Sequence, residues 1–387
     1  MSGCFNFDAP VERRGTDAEK WAKYAGRDIL PLWVADMDFA APPAIIDALN
    51  ARVAHGVFGY NQPTVSQTQA VVDYLARQFD YTIDPSWIVW LPGLVSGLNI
   101  ACRAVGAASD AVFTATPIYP PFLSAPKHAG RPLLTVPLVQ EQNRWVWDFD
   151  AVDAAFKRTK TKLFLLCHPH NPTGRAWENE ALQQIAQLAE KHDLIICSDE
   201  IHNGLILSPH LSPYHQHRLF ASLDEDIAQR TITLMAPSKT FNIPGLGAAF
   251  AVIPNAALRK QFNAAAAGIV PHTNLLGMAA LEAAFTRCDA WHQALLDYLR
   301  SNAEKVFSAV NQIPGLHMNR VEATYLAWID AREFTQARGI ANPAKYLEAH
   351  GLGLSDGAAF GAPDFVRLNF GTRRALLDEA LKRLAAA

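Results

Sequence analysis

The run Ala236–Leu246 reads Ala-Pro-Ser-Lys-Thr-Phe-Asn-Ile-Pro-Gly-Leu and places Lys239 shortly after an apolar segment. Two further polar runs lie upstream, Asn-Pro-Thr-Gly at 171–174 and Ser-Asp-Glu-Ile-His at 198–202. Each run alone is weak evidence, because Asn-Pro-Thr-Gly is also an ordinary turn and Ser-Lys is common on protein surfaces. All three follow apolar segments, however, and their order along the chain indicates one composite site.

The residue types in these runs match the needs of an aldehyde cofactor built on a pyridine ring. Lys239 supplies an amine that holds the aldehyde as a Schiff base. Asp199 supplies a carboxylate that keeps the ring nitrogen protonated, and the ring withdraws electrons only in that state. Asn171 supplies a hydrogen bond to the ring 3′ oxygen. The sequence therefore predicts a pyridoxal phosphate site formed by these three side chains.

The composition indicates a large globular protein. The chain has 387 residues, of which 50% are hydrophobic, and this is enough to bury a large core in two lobes. A net charge of −3 gives no long-range attraction to nucleic acid or to an anionic membrane. The five cysteines are scattered without metal-binding spacing, and no signal peptide or membrane span is evident. We therefore expect a soluble, cytoplasmic protein without a disulfide framework.

Short apolar runs alternate with amphipathic stretches over residues 87–253. Near-continuous apolar strands separated by helices are typical of an α/β fold with a mostly parallel central sheet covered by helices on both faces. The predicted strands are 87–91, 111–115, 162–167, 194–197, 232–235 and 248–253. Ligands of such sheets bind at the carboxyl ends of the strands, which is where Asn171, Asp199 and Lys239 fall.

The pattern changes in the last hundred residues of the chain. A long helix at about 290–311, strands at 324–329 and 365–370, and a final helix from Arg373 predict a smaller α+β domain. We expect the N-terminal segment to join this domain. The large cofactor-binding domain is then residues 45–285, and the small domain is residues 1–44 and 286–387. Without a long linker the two domains pack closely, with the site between them.

The whole chain resembles the fold-type I pyridoxal phosphate enzymes, the aspartate aminotransferase superfamily. The runs Leu-Trp-Val-Ala-Asp-Met-Asp-Phe at 32–39 and His-Gly-Val-Phe-Gly-Tyr at 55–60 are similar to the cystathionine β-lyase branch of the carbon–sulfur lyases. The runs at 199–202 and 238–245 point to the same branch. His202 is one of the residues that indicate this branch, because many aminotransferases carry tyrosine at that position. The resemblance implies the same fold, a mostly parallel sheet with a smaller α+β domain.

The resemblance also implies roles for individual residues around the cofactor ring. It makes Lys239 both the Schiff-base and the proton-transfer residue, and it makes Tyr119 the aromatic plate over the ring. Asp199, Asn171 and His202 complete the ring contacts. Lys239 and Tyr119 are thus the expected catalytic residues.

A second group of residues is expected to bind the substrate. Arg367 resembles the arginine that holds the α-carboxylate, a task that suits a planar guanidinium better than an ammonium. Taken alone, an arginine within a strand is as well explained by a surface salt bridge. Ala35 and Tyr60 are the other predicted substrate contacts.

The cofactor phosphate is expected at the start of a helix that follows strand 87–91. Gly93, Leu94 and Val95 offer free backbone amides at the positive end of that helix. Ser238 and Tyr60 complete the predicted phosphate contacts. The resemblance implies that Tyr60 reaches the phosphate from the partner subunit of a homodimer with two shared active sites.

The phosphate site departs from the superfamily pattern. Fold-type I aminotransferases usually carry an arginine shortly after the lysine, and the run Gly245–Ala249 has none. Ala236 also stands where many relatives have a phosphate-binding serine. Phosphate binding therefore depends on helix amides, Ser238 and Tyr60.

Histidines are clustered in two places, His168 with His170 and the group His210, His215 and His217. A pair of histidines separated by one residue can bind a metal ion, but no matching cysteine or glutamate cluster accompanies them. The sequence therefore predicts no metal site. We expect these histidines to lie in solvated loops.

The resemblance implies a carbon–sulfur β-lyase that cleaves S-substituted L-cysteines, such as cystathionine or cystine, to a thiol, pyruvate and ammonia. An aminotransferase uses the same lysine, aspartate and asparagine, so these residues leave that alternative open. A second alternative is a cofactor-bound regulatory protein that acts through a protein partner. The preferred S-substituent is not predicted, although Trp33, Tyr325 and residues 355–361 are candidates to line its pocket.

Overall fold

The computed structural model of the chain describes residues 5–208 and 217–387. In this part of the chain the strands are β1 (Leu30–Pro31), β2 (Ile88–Leu91), β3 (Ala111–Thr116), β4 (Leu133–Pro137), β5 (Val139–Glu141), β6 (Arg144–Val146), β7 (Thr161–Cys167), β8 (Ile195–Asp199), β9 (Thr231–Met235), β10 (Ala249–Val252), β11 (His317–Met318), β12 (Leu326–Asp330), β13 (Leu352–Gly353), β14 (Ser355–Asp356) and β15 (Phe365–Asn369).

The α-helices are α1 (Glu19–Ala22), α2 (Pro43–Ala54), α3 (Val65–Phe79), α4 (Leu94–Ala104), α5 (Pro120–His128), α6 (Phe149–Arg158), α7 (Asn179–Lys191), α8 (Glu225–Gln229), α9 (Ala256–Ala266), α10 (Leu275–Arg287), α11 (Asp289–Val310), α12 (Arg332–Arg338), α13 (Pro343–Ala349) and α14 (Arg374–Ala386). None of the helices in the described residues is long and apolar enough to cross a membrane.

The central sheet has seven strands in the order β2-β10-β9-β8-β7-β3-β4. The predicted α/β fold with a mostly parallel sheet is confirmed, and β10 is the one strand of this sheet that runs opposite to the other six. A parallel neighbour needs a long crossover that usually contains a helix. The segment between β9 and β10 has no α-helix, so the chain turns back instead. That turning segment carries Lys239.

Helices cover both faces of the central sheet. On one face α4 lies close to β9, because Gly97 leaves room for Leu234. A Cβ atom at position 97 would lie only 2.8 Å from Leu234 Cδ2. β9 is buried along its whole length, as expected for a strand covered on both faces. This packing fixes the first turn of α4 at the carboxyl end of the strands.

The second sheet is antiparallel, with the order β11-β12-β15-β14. The predicted long helix and final helix are found as α11 and α14. The predicted strand 324–329 begins only at Leu326, because Thr324 has a left-handed backbone with a φ of +75°. The seven-stranded sheet lies within the predicted large domain, and the boundary predicted at 285/286 falls inside the last turn of α10.

Candidate active site

Three polar side chains follow three adjacent strands of the central sheet. Asn171 follows β7, Asp199 is the last residue of β8, and Lys239 follows β9. Because these strands are parallel neighbours, their carboxyl ends lie side by side at one edge of the sheet. Asn171 and Asp199 are buried, and Lys239 is half-buried. The structure thus brings the three predicted residues to one edge.

The amine of Lys239 contacts the N-terminal segment of the chain. Its Nζ donates a hydrogen bond to the backbone oxygen of Ala35 at 2.6 Å, and the Tyr325 hydroxyl donates to the same oxygen at 2.8 Å. Burial lowers the pKa of Lys239 to about 8, Arg367 lowers it further, and nearby carboxylates oppose both effects. A larger unprotonated fraction near neutral pH makes this amine a better nucleophile and base than an ordinary lysine.

Asp199 is a buried carboxylate that needs a cationic partner. Its Oδ1 accepts a hydrogen bond from the backbone N–H of Ile201 at 3.2 Å. Burial raises the pKa of Asp199 to about 7, and the adjacent Glu200 adds to the rise, while the Ile201 N–H and Lys239 oppose it. A protonated pyridine nitrogen is a cation that stabilises the ionised form. The buried carboxylate of Asp199 therefore fits the cofactor that the resemblance implies.

Arg367 lies in the middle of β15 and reaches Asn171. Its Nη1 donates to Asn171 Oδ1 at 2.9 Å, and its Nη2 donates to the Trp33 backbone oxygen at 2.8 Å and to Ser355 Oγ at 3.2 Å. With its Oδ1 accepting from Arg367, Asn171 keeps its amide N–H groups as the donors that a cofactor oxygen requires. The guanidinium also lies 4.8 Å from the ring centre of Phe360.

The charge of Arg367 is not neutralised by a carboxylate in the described part of the chain. All three of its hydrogen bonds there go to neutral oxygens, and its buried Nε has no partner among the described residues. Burial lowers the pKa of Arg367 to about 10, while Tyr119 and Tyr325 oppose this. A buried guanidinium without a carboxylate partner among the described residues can bind an anion, and its planar pair of donors suits a carboxylate.

Tyr119 and His202 lie next to the same edge. Tyr119 precedes α5, and its backbone N–H donates to the backbone oxygen of Asn171 at 3.1 Å, which ties the loops after β3 and β7 together. His202 is buried, and its Nδ1 has no partner within residues 5–208 and 217–387. Burial, with Lys239 and Arg367 nearby, holds the pKa of His202 well below its usual value. Its imidazole is therefore neutral.

The predicted phosphate contacts lie where two loops meet the sheet edge. Gly93 is the residue before α4, and Leu94 and Val95 open its first turn, where backbone N–H groups have no partner within the helix. Ser238 is half-buried in the turn after β9. These groups are neutral donors, which agrees with the absence of an arginine from the run 245–249.

Tyr60, a predicted phosphate and substrate contact, lies in the exposed segment that precedes α3. Its side chain is fully exposed, at 110% of the reference value.

Two asparagines that the sequence analysis did not single out hold the loop of residues 33–38. Asn242 accepts from the Met37 backbone N–H at 2.9 Å and donates to the Met37 and Phe39 backbone oxygens at 2.9 and 2.7 Å. Asn369 donates to the Val34 and Asp36 backbone oxygens, at 2.5 and 2.6 Å. An asparagine inside the apolar strand β15 is the sequence signal that points to such a role.

The expectation of solvated histidines is wrong for three of the five. His168, His170 and His217 are buried, and burial lowers the pKa of each to about 3. Each has a polar partner: His168 contacts the Arg218 backbone oxygen, His170 contacts Thr173 Oγ1, and His217 contacts Glu200. They are buried because the loop after β7 and residue 217 pack inside the core at the sheet edge. His210 and His215 lie outside the described residues.

The fold and this site define the class of protein. The model of the aminotransferase class I and II family matches residues 27–384, and the chain therefore belongs to that family. A cystathionine beta-lyase, PatB of Bacillus subtilis (strain 168), is 35% identical over 99% of this chain and 99% of its own length.

Solved structures show the same relation. The structure of a protein named OvoB is 49% identical, with a TM-score of 0.94, and the match covers 99% of this chain and 98% of that one. The pyridoxal phosphate-bound C–S lyase of Staphylococcus hominis is 29% identical, with a TM-score of 0.92, over 99% of this chain and 97% of that one.

Proposed function

We propose that this protein is a pyridoxal phosphate-dependent carbon–sulfur β-lyase that cleaves S-substituted L-cysteines, such as cystathionine, to a thiol, pyruvate and ammonia. The observation that carries amino-acid chemistry on this cofactor is the convergence of Lys239, Asp199 and Arg367 at one sheet edge. An amine, a buried carboxylate and a buried guanidinium without a carboxylate partner among the described residues are the groups that this chemistry needs. An aminotransferase uses the same groups, so the choice of a lyase depends on the lyase relatives.

The cofactor, when bound, supplies an electron sink for the electron pair that deprotonation leaves at the substrate Cα. Lys239, whose pKa is lowered to about 8, accepts the Cα proton at its Nζ. Asp199 keeps a proton on the ring nitrogen, because its buried carboxylate is stabilised by that charge. Arg367 binds the α-carboxylate and so orients the substrate. The electron pair at Cα then forms a Cα=Cβ double bond while the Cβ–S bond breaks, and the thiolate leaves with the electrons of that bond. Water hydrolyses the released aminoacrylate to pyruvate and ammonia.

The test is a product assay with purified protein, added cofactor and L-cystathionine in the absence of any keto acid. We expect pyruvate, ammonia and homocysteine to form in equal amounts over many turnovers. Lys239→Ala should form none of them. Lys157→Ala is the matched control, because Lys157 is exposed on α6 and should leave the rates unchanged.

The same assay distinguishes the aminotransferase alternative. Both reactions begin with loss of the Cα proton, and an aminotransferase then transfers the amino group to a keto acid instead of breaking the Cβ–S bond. No pyruvate without a keto acid, followed by amino-group transfer once one is supplied, would replace the lyase with an aminotransferase.

We further propose that the protein is a homodimer with shared active sites. Several apolar side chains near one another in sequence are exposed, among them Val57, Phe58 and Val65, together with Tyr60. The Asn61 side chain donates to the Thr273 backbone oxygen at 3.2 Å, so this segment lies beside the segment that carries the exposed Ile269. Exposed apolar surface of this kind is typical of an interface.

Mixing inactive Lys239→Ala chains with inactive Tyr60→Phe chains tests the shared sites. If Tyr60 acts across the interface, mixed dimers should recover part of the activity, because one of their two sites has both residues intact. A molar mass of one chain in solution, or confirmed mixed dimers without activity, would contradict the proposal.

We also propose a cytoplasmic location. The described cysteines Cys102, Cys167, Cys197 and Cys288 are all buried free thiols, which suits a reducing compartment. Fractionation of cells that produce the native chain tests this, and recovery outside the cytoplasm would contradict it.

A further inference from the structure

A buried cluster of opposite charges joins the first turns of the chain to the loop of residues 33–38. Lys20 in α1 is completely buried, and its Nζ lies 2.8 Å from Asp38 Oδ2 and 3.7 Å from Asp36 Oδ1. Arg13 completes the cluster with contacts of 2.7 Å to Asp36 and 2.8 Å to Asp38. The Trp21 ring nitrogen donates to Asp38 at 3.1 Å. Two cations thus meet two carboxylates, and the charges of these four residues balance.

The loop of residues 33–38 presents its backbone oxygens to the active site. The Trp33 oxygen accepts from Arg367, and the Ala35 oxygen accepts from both Lys239 and Tyr325. The position of the loop therefore determines the position of the guanidinium that binds the substrate carboxylate and of the amine that acts on Cα.

The charge cluster also binds the backbone at the C-terminal end of this loop. Besides the carboxylates, Lys20 Nζ donates to the Asp36 backbone oxygen at 3.4 Å, and Arg13 donates to the Met37 backbone oxygen at 3.2 Å. In the other direction, the Trp33 ring nitrogen donates to the Lys20 backbone oxygen at 3.1 Å. Both ends of the loop are thereby attached to the same short segment.

A fully buried ammonium is unusual, because lysine is almost never fully buried unless a charged partner lies beside it. Burying an ion pair gains little net stability, because desolvation offsets most of the attraction, but a buried pair can specify one conformation. Burial opposes ionisation of Asp38, yet Lys20 and the Trp21 N–H outweigh it and hold the pKa of Asp38 below its usual value. Asp38 is therefore ionised, and removal of its cationic partner would leave an uncompensated buried charge.

We propose that Lys20, with Arg13, is a positioning residue for the active site: it fixes the loop of residues 33–38, and through the Trp33 and Ala35 oxygens it sets the places of Arg367 and Lys239. The effect of Lys20 on substrate binding depends on the lyase function proposed above. Lys20 itself contacts neither the lysine nor the arginine of the site, so its effect passes through the loop backbone.

The test uses Lys20→Met, which keeps the length of the side chain and removes its charge. Lys157→Met is the matched control, since it removes the charge from an exposed ion pair on α6. The first measurement is hydrogen exchange of the cofactor-free proteins. We expect the backbone amides of residues 33–38 to exchange at least tenfold faster in Lys20→Met, while those of β8 and β9 are unchanged. Unchanged exchange in the loop would overturn the proposal.

The second measurement is equilibrium binding of L-alanine to the holoenzyme, followed by the cofactor absorbance. L-alanine carries the α-amino and α-carboxylate groups but no leaving group. We expect at least tenfold weaker binding in Lys20→Met, a KM for cystathionine that rises more than kcat falls, and an unchanged cofactor content. Binding as tight as in the wild type would overturn the proposal.

The two measurements separate the failure of this inference from the failure of the proposed function. If the unaltered protein binds no amino acid, the lyase function fails, while hydrogen exchange still decides whether Lys20 holds the loop. If Lys20→Met does not fold, Arg13→Gln takes its place, because the Arg13 side chain is 18% exposed. In Arg13→Gln we again expect faster hydrogen exchange of residues 33–38 and weaker binding of L-alanine. An unchanged value of either quantity would contradict the proposal.

Discussion

The carboxyl edge of the central sheet and the loop of residues 33–38 contact the same lysine, but they are built in different ways. At the sheet edge Asp199 is the last residue of β8, and Asn171 follows its parallel neighbour β7, so paired strands place both residues. The loop lacks extended strand pairing and is held by side chains from distant parts of the sequence, among them Lys20, Asn242 and Asn369. Substitutions at the edge should therefore change the chemistry, whereas substitutions around the loop should change the geometry.

The largest effect is expected at the edge itself, from Lys239→Ala. The amine that lies at this edge is then lost, and we expect kcat to fall by about 10³-fold or more, as for other residues that act as both nucleophile and base. The unfolding temperature of the variant should stay close to that of the wild type. Steady-state pyruvate release and thermal unfolding measure the two quantities. Turnover within tenfold of the wild type would show that the edge does not carry the chemistry.

Asp199→Asn is expected to change turnover and stability in opposite directions, because kcat should fall while the cofactor-free protein becomes more stable. We expect kcat to fall by about 100-fold, because a neutral amide does not hold a proton on the ring nitrogen. The pKa of Asp199 is raised to about 7, so the native protein binds this proton more tightly than the unfolded chain does. Its ionisation therefore destabilises the cofactor-free protein as the pH rises from about 4 to above 7.

The cofactor-free Asp199→Asn variant should thus be more stable than the cofactor-free wild type at pH 8, by about 1 to 3 kcal/mol, and nearly equal to it at pH 4. Denaturant unfolding at the two pH values measures this. Glu200, whose pKa burial also raises to about 7, is present in both proteins, so its contribution largely cancels. A lower stability of the variant at pH 8 would mean that Asp199 already has a cationic partner within the chain.

Arg367→Lys tests the point at which the edge and the loop meet. A lysine keeps the charge but loses the planar pair of donors that now reach Asn171 and Trp33. We expect KM for cystathionine to rise about 10- to 100-fold, with a smaller change in kcat. Steady-state kinetics over a range of substrate concentrations measures both. An unchanged KM would remove Arg367 from substrate binding.

The smallest effect on turnover is expected on the loop side, from Asn242→Ala. The variant loses three hydrogen bonds to Met37 and Phe39, and it places alanine at a φ of +54° that asparagine adopts more readily. We expect a loss of about 1 to 3 kcal/mol of stability and only a few-fold change in kcat. Denaturant unfolding and the pyruvate assay measure these. A loss of turnover as large as that of Asp199→Asn would contradict the distinction between edge and loop.

Much of the sheet edge could be predicted from the sequence because its signals are local. Apolar runs marked the strands, and a polar residue after such a run marks a strand end in a parallel sheet. Asn171, Asp199 and Lys239 were found from three polar runs that match a cofactor site, and their predicted places at strand ends agreed with the structure. The direction of β10 was beyond such reasoning, because an apolar run does not reveal which way its strand points.

The resemblance singled out Ala35 and Trp33 on the loop, but the side chains that hold the loop could not be predicted, because their contacts join distant parts of the sequence. Lys20 is buried beside Asp36 and Asp38, whereas a lysine in a polar segment ordinarily predicts a solvated side chain. The buried histidines were missed for a similar reason. His217 pairs with Glu200 inside the core, and nothing in the neighbouring sequence indicates that contact.

The most direct test of the account is to reduce the holoenzyme with borohydride, digest it and locate the cofactor by mass spectrometry. The account predicts a single cofactor adduct, on Lys239, and no adduct in Lys239→Ala. An adduct on another lysine, or a cofactor that borohydride does not attach to the chain at all, would contradict the assignment of the active site to this edge of the sheet.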